Sequence, residues 1–551
     1  MFINIRREKF LPPATFPQDV APQYQHAFGS PIVAVKLDNA LHDLQTPVGQ
    51  ARSLEFVELE SEDGWIIYRR SVAFLLIMAV QELYPEAEVV AKYRANNGLY
   101  CEVNLPNRSL TEELAAAIER KMRQIAEQDL PIEKRIMGRE DAVRLFKDAK
   151  QIEKANLIAG LEKETVSVYD CAGYYDYLYG AMVGRTGALK RFALDLFGAG
   201  VLLRTPDCHS NGKIPACKVQ SKLSAMLAEA KQWADISGCR YVTDLNRIIR
   251  SGHIGELIRV SEALQEKCIA RIADTIASKR EGLRLILIAG PSSSGKTSFA
   301  QRLRIQLKVM GLAPVSISLD DYFKNRIDTP KTPMGEYDYE CLEALDVAAF
   351  NADMTALLRG EAVVLPHYNF LTGKREWVEQ REPLSIRADQ PIIVEGIHGL
   401  NEMLSASVPR QNKLKIYVSA LIQLNIDAHN RISTTDARLL RRLVRDHQFR
   451  GADALKTLKQ WPDVREGEEK YIFPFQEDAD VMFNSALLYE LAALHRYAVP
   501  MLKTVTPDVP EYTKARRILD FCQYFLDIPN EEEIPNNSIL REFIGKSVFF
   551  D

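Results

Sequence analysis

Apolar and polar positions alternate differently in the two halves of this chain. In the first half, short apolar stretches are broken by turn residues. Ile32, Val33, Ala34, Val35 and Leu37 run into Asp38-Asn39 and Leu41, the mark of a small β-hairpin unit. Residues 71–84 predict a helix stopped by Pro85, and residues 110–127 a second; between them 88–93 and 99–103 read as strands around Asn96-Asn97-Gly98. A helix is predicted over 218–235, a short strand over 239–242, and a long amphipathic helix over 255–279. That last helix carries Leu257, Val260, Leu264, Cys268, Ile272 and Ile276 on one face. In the second half continuous apolar runs replace the alternation. Residues 283–289, 315–321 and 391–396 read as buried strands of a parallel sheet, and Phe299, Leu303 and Leu307 recur as a helix face. Helices over 487–502 and 511–526 close the pattern and carry no evident chemistry.

The predicted fold class is therefore α/β: a parallel sheet flanked by helices, preceded by α+β domains. With 551 residues the chain exceeds one ordinary core. We divide it at 1–65, 66–250, a connecting helix at 251–280, and 281–551, leaving open whether that helix links the halves or begins the last domain. Apolar content of 46% and charge of 26% are those of a globular protein. A net charge of −4 gives no support for bulk binding to nucleic acid. Eight cysteines without a repeated short spacing, and no secretory leader, predict reduced thiols in a cytoplasm. The apolar run 72–80 is too short to span a bilayer, so no membrane role is expected.

Candidate chemistry concentrates at residues 290–297, Gly-Pro-Ser-Ser-Ser-Gly-Lys-Thr. The G-x-x-x-x-G-K-T spacing lies between a buried strand and a helix, the context a phosphate cradle needs. Gly290, Ser292, Ser293, Ser294, Gly295, Lys296, Thr297 and Ser298 would hold a nucleoside triphosphate, ATP or GTP. Lys296 would reach the β/γ-phosphates and Thr297 would bind Mg²⁺. Strands ending in Asp320-Asp321 and in Glu395 would bring carboxylates to the same end of the sheet, as base and as a second Mg²⁺ contact. His398 reads as a loop histidine satisfied by backbone. Arg438, Arg441, Arg442 and Arg445 share a broad helical face suited to a lid, with Arg450 beyond. Arg69-Arg70 and Lys190-Arg191 read as solvated surface, and Cys208-His209 with Cys217 lacks the second pair a metal site needs.

Two resemblances follow from these segments. Residues 31–203, through 79–85, 97–100 and 176–187, resemble the N-terminal region of threonyl-tRNA synthetases, a TGS domain followed by an editing-type domain. The family's metal positions hold Arg70, Phe74, Leu178 and Met182 here, so the resemblance implies a scaffold without editing chemistry. Residues 283–483 resemble the uridine kinase and phosphoribulokinase family, uridine/cytidine kinases more closely, through 290–297, 318–323, 337–340, 365–370, 394–397 and the arginine lid. By that resemblance Asp320 is the base for a sugar 5′-hydroxyl, with Asp320, Phe323, Glu340, Tyr368, Phe370, Arg442 and Arg450 at the substrate. Lys296, Arg441 and Arg445 would serve catalysis. The family's base-reading histidine falls on Gly373, and a family tyrosine on Phe323; Lys374 or Arg375 are candidates to compensate. The reading is an ATP-dependent nucleoside kinase. A sugar-phosphate or small-alcohol kinase, and a nucleotide-regulated protein that binds tRNA, are the alternatives, and the sequence leaves self-association open.

Overall fold

A computed structural model describes residues 11–332, 335, 337–369, 372–377 and 382–550. Phe370 lies outside the described residues. The first unit is helix α1 (Pro17–Tyr24) against β1 (Ile32–Leu37), β2 (Ala40–Asp43) and β3 (Leu54–Glu58), an antiparallel sheet in order β2-β1-β3. Asp38 and Asn39 take positive φ, the conformation a two-residue hairpin turn needs and these residues tolerate. Val35, Leu37, Leu54 and Phe56 close a small core of their own.

Helix α2 (Glu62–Leu83) starts nine residues before the apolar pattern suggests. The Ser61 hydroxyl accepts the Gly64 N–H at 3.1 Å, capping the start. There follow β4 (Glu88–Ala95), β5 (Gly98–Asn104), α3 (Glu112–Glu127), β6 (Glu133–Gly138), α4 (Arg139–Asp148), α5 (Ile152–Ala159), β7 (Thr165–Cys171), β8 (Tyr174–Asp176), β9 (Ala193–Phe197) and β10 (Gly200–Arg204). They form two sheets, β4-β5-β10-β9 and β6-β7-β8. The strand expected over 239–242 does not form. Between α6 (Ser221–Ile236) and α7 (Val242–Arg250), the Asp244 carboxylate accepts the Tyr241 N–H at 3.1 Å and starts a helix instead.

Helix α8 (Ile254–Ser278) is followed by β11 (Leu285–Ala289), α9 (Lys296–Val309), β12 (Val315–Ser318), α10 (Val347–Leu358), β13 (His367–Asn369), β14 (Lys374–Glu376), β15 (Ile392–Glu395), β16 (Lys413–Ser419), α11 (Thr434–Arg450), α12 (Ala454–Tyr471), β17 (Val481–Asn484), α13 (Glu490–Leu502), α14 (Tyr512–Cys522) and α15 (Arg541–Ile544). The sheet is parallel, in order β12-β15-β11-β16-β17. Strand β11 is central and buried on both faces: Ile286 and Ile288 meet Phe299 and Leu303, while Leu285 and Leu287 meet Ile317 and Met354. Helix α8 lies in a core that both halves share, with Phe146 and Leu245 as well as Phe299. It packs along α9, where Arg302 reaches Glu266 at 2.7 Å and Glu262 at 3.4 Å, and its Ile269, Ile272 and Ile276 enter the core that holds Phe299.

Strand β16 escaped the apolar pattern because Lys413 and Lys415 interrupt it. Both are buried, and their ammonium groups meet Glu402 at 2.8 and 2.6 Å. Burial pushes the Glu402 carboxyl up, but the two lysines outweigh it and hold it at about 2. The two halves share an apolar core, in which Phe146, Val168 and Leu245 join Leu424, Tyr524 and Phe525, and polar contacts accompany it. Ala91 on β4 donates its N–H to the Ala428 carbonyl at 2.8 Å, and the Ala91 carbonyl accepts from Asn425 at 2.7 Å. Lys154, Asp176 and His429 meet in one buried cluster across the same boundary. Arg70 is not solvated surface: it donates to the Ala181 carbonyl at 2.6 Å and covers the Tyr179 ring.

Candidate active site

The loop between β11 and α9 turns its amides toward one point only if its carbonyls turn outward, and buried carbonyls need donors. Ser293 and Gly295 take positive φ, which makes that turn. Each outward carbonyl is met. Lys296 Nζ donates to the Pro291 carbonyl at 3.3 Å, Arg438 Nη1 to that of Ser292 at 2.9 Å, and Arg441 Nη1 to that of Ser293 at 3.3 Å. The Ser485 hydroxyl donates to the carbonyl of Ser294. Among the described residues the N–H groups of Ser293, Gly295, Lys296 and Thr297 have no acceptor in the protein, and the Ser293 and Ser294 hydroxyls are buried without a partner. The loop is thus a concavity of donors at the positive end of a helix.

This geometry corrects the lid expectation. Arg438 and Arg441 are 1% and 0% exposed, and Arg438 chelates Glu468 while covering the Trp461 ring. All five donors of Arg441 are engaged: two by Glu490 at 3.1 and 2.6 Å, two by Ser485 at 3.1 and 3.0 Å, one by Ser293. Arg441 therefore has no donor left for a substrate and positions the loop instead. Arg442 is half-buried, donating to the Ser292 hydroxyl at 3.0 Å and pairing with Asp446 at 3.1 Å. Arg445 lies over Phe543, and burial lowers its guanidinium to about 10. Arg450 is exposed, 3.3 Å from Asp446.

Three carboxylates line the cleft beside Lys296. Asp320 follows β12 in a short 3-10 turn, not in the strand the sequence suggests. Asp320 is exposed at the surface of the cleft, and its carboxyl has no partner among the described residues. Crowding by the surrounding protein raises it above the usual aspartate range; Lys296 opposes this and Asp321 adds to it. Asp321 is engaged at one oxygen, which accepts the Tyr368 N–H at 3.3 Å and lies 3.0 Å from His367 Nδ1. Glu395 ends β15, and its Oε1 accepts from the Thr297 hydroxyl at 3.0 Å. Burial raises Glu395 to about 7, with Lys296 opposing and Asp320 adding. Its Oε2 is buried without a partner, so Thr297 and Glu395 fit a hydrated Mg²⁺, which takes oxygen ligands from few protein groups. Glu340 is raised to about 7 by burial, then by Glu468, against Arg442 and Lys296.

The proposed acceptor side is aromatic. Phe323 packs on Tyr368 at 5.5 Å and on Tyr339 at 6.1 Å between ring centres. At Gly373, whose φ is +68°, a Cβ would lie 2.7 Å from the Arg326 guanidinium, and Arg326 Nε donates to the Tyr339 hydroxyl at 3.2 Å. The cation in this corner is therefore Arg326, which the sequence did not single out. Arg375 is held by Asp346 at 2.8 Å, and Lys374 is exposed. His398 is buried against Tyr471, and burial lowers its imidazole to about 4. Two further contacts went unforeseen: Glu468 accepts the Ser292 N–H at 3.0 Å, and Glu542 accepts from Ser298.

Residues 285–489 match the Phosphoribulokinase / Uridine kinase family. The N-terminal region matches threonine–tRNA ligases. The ligase of Alkalilimnicola ehrlichii is 35% identical over 189 residues, 34% of this chain and 29% of the relative; that of Coxiella burnetii is 34% identical over 178 residues, 32% and 27%. The chain thus spans under a third of the length of these relatives. Two solved structures are provisionally described as kinases. One, of a fructose transport system kinase from Silicibacter sp., is 17% identical with a TM-score of 0.29, over 39% of this chain and 98% of that one. The other, of a uridine kinase from Bacillus stearothermophilus, is 17% identical with a TM-score of 0.25, over 37% and 89%.

Two measurements check the site. Removing one member of a buried pair leaves an uncompensated charge, so Arg441→Ala is expected to cost about 3–5 kcal/mol in chemical denaturation, against under about 1 kcal/mol for the exposed Arg450→Ala. Equal costs would refute the strut. A raised carboxyl binds its proton more tightly folded than unfolded, so ionising Glu340 destabilises the fold as pH rises from about 4.5 toward 7. Glu340→Gln should therefore melt above wild type at pH 8, by on the order of 2–3 kcal/mol, with the gain shrinking at pH 5. A gain that does not change with pH contradicts this.

Proposed function

We propose that the half carrying the phosphoribulokinase and uridine kinase family match is an ATP-dependent nucleoside kinase that transfers the γ-phosphate to a ribonucleoside 5′-hydroxyl. The observation that carries this is the meeting of Lys296, Asp320 and Glu395 in one electrostatic neighbourhood at the ends of β11, β12 and β15, beside the donor loop. The triphosphate, ATP or GTP, lies in residues 290–298. The acceptor hydroxyl attacks the γ-phosphorus in line, its proton passes to Asp320, and the nucleoside diphosphate leaves. A base whose affinity for a proton is raised is suited to that step. Lys296, with Arg442 and Arg445 nearby, neutralises charge on the transferring group. Thr297 and Glu395 would hold Mg²⁺, which supplies charge neutralisation on the β- and γ-phosphates when bound.

Phe323 and Tyr339 offer aromatic surface for a base, with Tyr368 buried behind Phe323 rather than facing the base as its motif implies, and Glu340 follows Tyr339 for the ribose hydroxyls. Arg326 at Gly373 is the observation that favours a second reading, a phosphorylated sugar acceptor, because a guanidinium there suits an anion as well as a base edge. The N-terminal half is read as a TGS-like and editing-like scaffold, and the protein as cytoplasmic.

The test is acceptor-stimulated ADP release with ATP, Mg²⁺ and each common nucleoside, then each pentose phosphate. One nucleoside should respond, and Asp320→Asn should lose turnover by about 10²–10⁴-fold while still binding ATP. A response confined to sugar phosphates would move the assignment to the second reading. ATP binding and salt-dependent tRNA binding with no acceptor response would end the kinase assignment.

A further inference from the structure

Helix α9 begins at Lys296, so the N–H groups of Lys296, Thr297 and Ser298 have no partner within the helix and aim at the anion site. Lys296 and Thr297 leave theirs open. Ser298 does not: its N–H donates to Glu542 Oε2 at 3.2 Å and its hydroxyl to the same oxygen at 2.8 Å. The other oxygen of Glu542 is 3.7 Å from Arg445 Nη1. A carboxylate from α15, 244 residues along the chain, thus holds one donor of the phosphate cradle and faces one of its cations.

This contact is built rather than incidental. Phe543 is fully buried beneath the guanidinium groups of Arg441 and Arg445, at 5.1 and 6.0 Å. Arg541 is tied to the carbonyls of Glu531 and Ile534 at 2.9 and 2.8 Å. Ile539 sits so close to the loop that a Cβ on Gly295 would come within 2.5 Å of its Cγ2. Residues 538–545 therefore lie against the flank of the cradle, on its Gly295 and Ser298 side.

We propose that Glu542 is an internal anion that competes with the triphosphate for Ser298 and Arg445, so that residues 538–545 act as a brake released by nucleotide. This rests on the reading of residues 290–298 as the triphosphate site. On binding, a phosphate oxygen replaces the Glu542 carboxylate on Ser298, Arg445 passes from carboxylate to phosphate, and the carboxylate turns to solvent. Carboxylate and phosphate repel at a shared donor, so the two compete for Ser298.

The experiment is calorimetric titration of ATP with Mg²⁺ into the full chain, with Lys296→Ala as the control for the site. Glu542→Gln keeps the shape but removes the charge, and should tighten ATP binding about tenfold. In the wild-type chain, amide hydrogen exchange over 543–545 should rise when ATP binds, a readout that stands even where the variant fails to fold. Binding that depends on Lys296 but is unchanged or weaker in Glu542→Gln, or exchange over 543–545 unaltered by ATP, overturns the brake alone and leaves a helix cap. ATP that binds neither protein overturns the triphosphate site itself, and the brake with it.

Discussion

The constraint on which the site depends is the fate of four carbonyls. A loop that gathers amides for an anion must expose the carbonyls of residues 291–294 to the protein interior, where a missing partner costs about 1–3 kcal/mol each. Lys296, Arg438, Arg441 and Ser485 supply the donors. The arginines in turn would be intolerable without counter-charge in a buried setting, and Glu468 and Glu490 provide it at 1% and 0% exposure. The donor concavity thus comes with a layer of ion pairs beneath it. Helices α11, α12 and α13 are fixed where they are by having to deliver that layer.

The same logic divides the charged residues into those that hold and those that remain free. Arg441 is used up by internal partners, while Asp320, Glu395 and Lys296 keep unsatisfied capacity and feel one another across the cleft. Free capacity at the cleft is what distinguishes groups able to act on a bound molecule from neighbours that only hold the loop. It also explains why Asp320 and Glu395 share raised proton affinity, with Lys296 the opposing charge for both.

Much of this was legible in the sequence, for a local reason. The donor loop, its strand and its helix are set by adjacent residues, and the apolar runs of β11 and β15 report burial directly, whereas in β12 only Ile317 is buried. The rest depends on contacts distant along the chain. Arg438 and Arg441 sit on a helix face that reads as a lid until Glu468 and Glu490 arrive to bury it. Strand β16 reads as polar until Glu402 neutralises its lysines. The start of α2 was in fact written, in Ser61 followed by two acidic residues, but its apolar pattern blurs because the helix is buried on most sides. Arg326 became visible only when the chain folded it onto Gly373.

The central claim is that residues 290–298 are a preformed anion cradle whose outward carbonyls are held before any ligand arrives. A crystal structure with a non-hydrolysable ATP analogue and Mg²⁺ tests it most directly. The account predicts phosphate oxygens on the N–H groups of Gly295, Lys296 and Thr297, with the bonds from Arg438 to Ser292 and from Arg441 to Ser293 retained. An analogue bound elsewhere, or a loop that abandons those two bonds to accept it, would contradict the account.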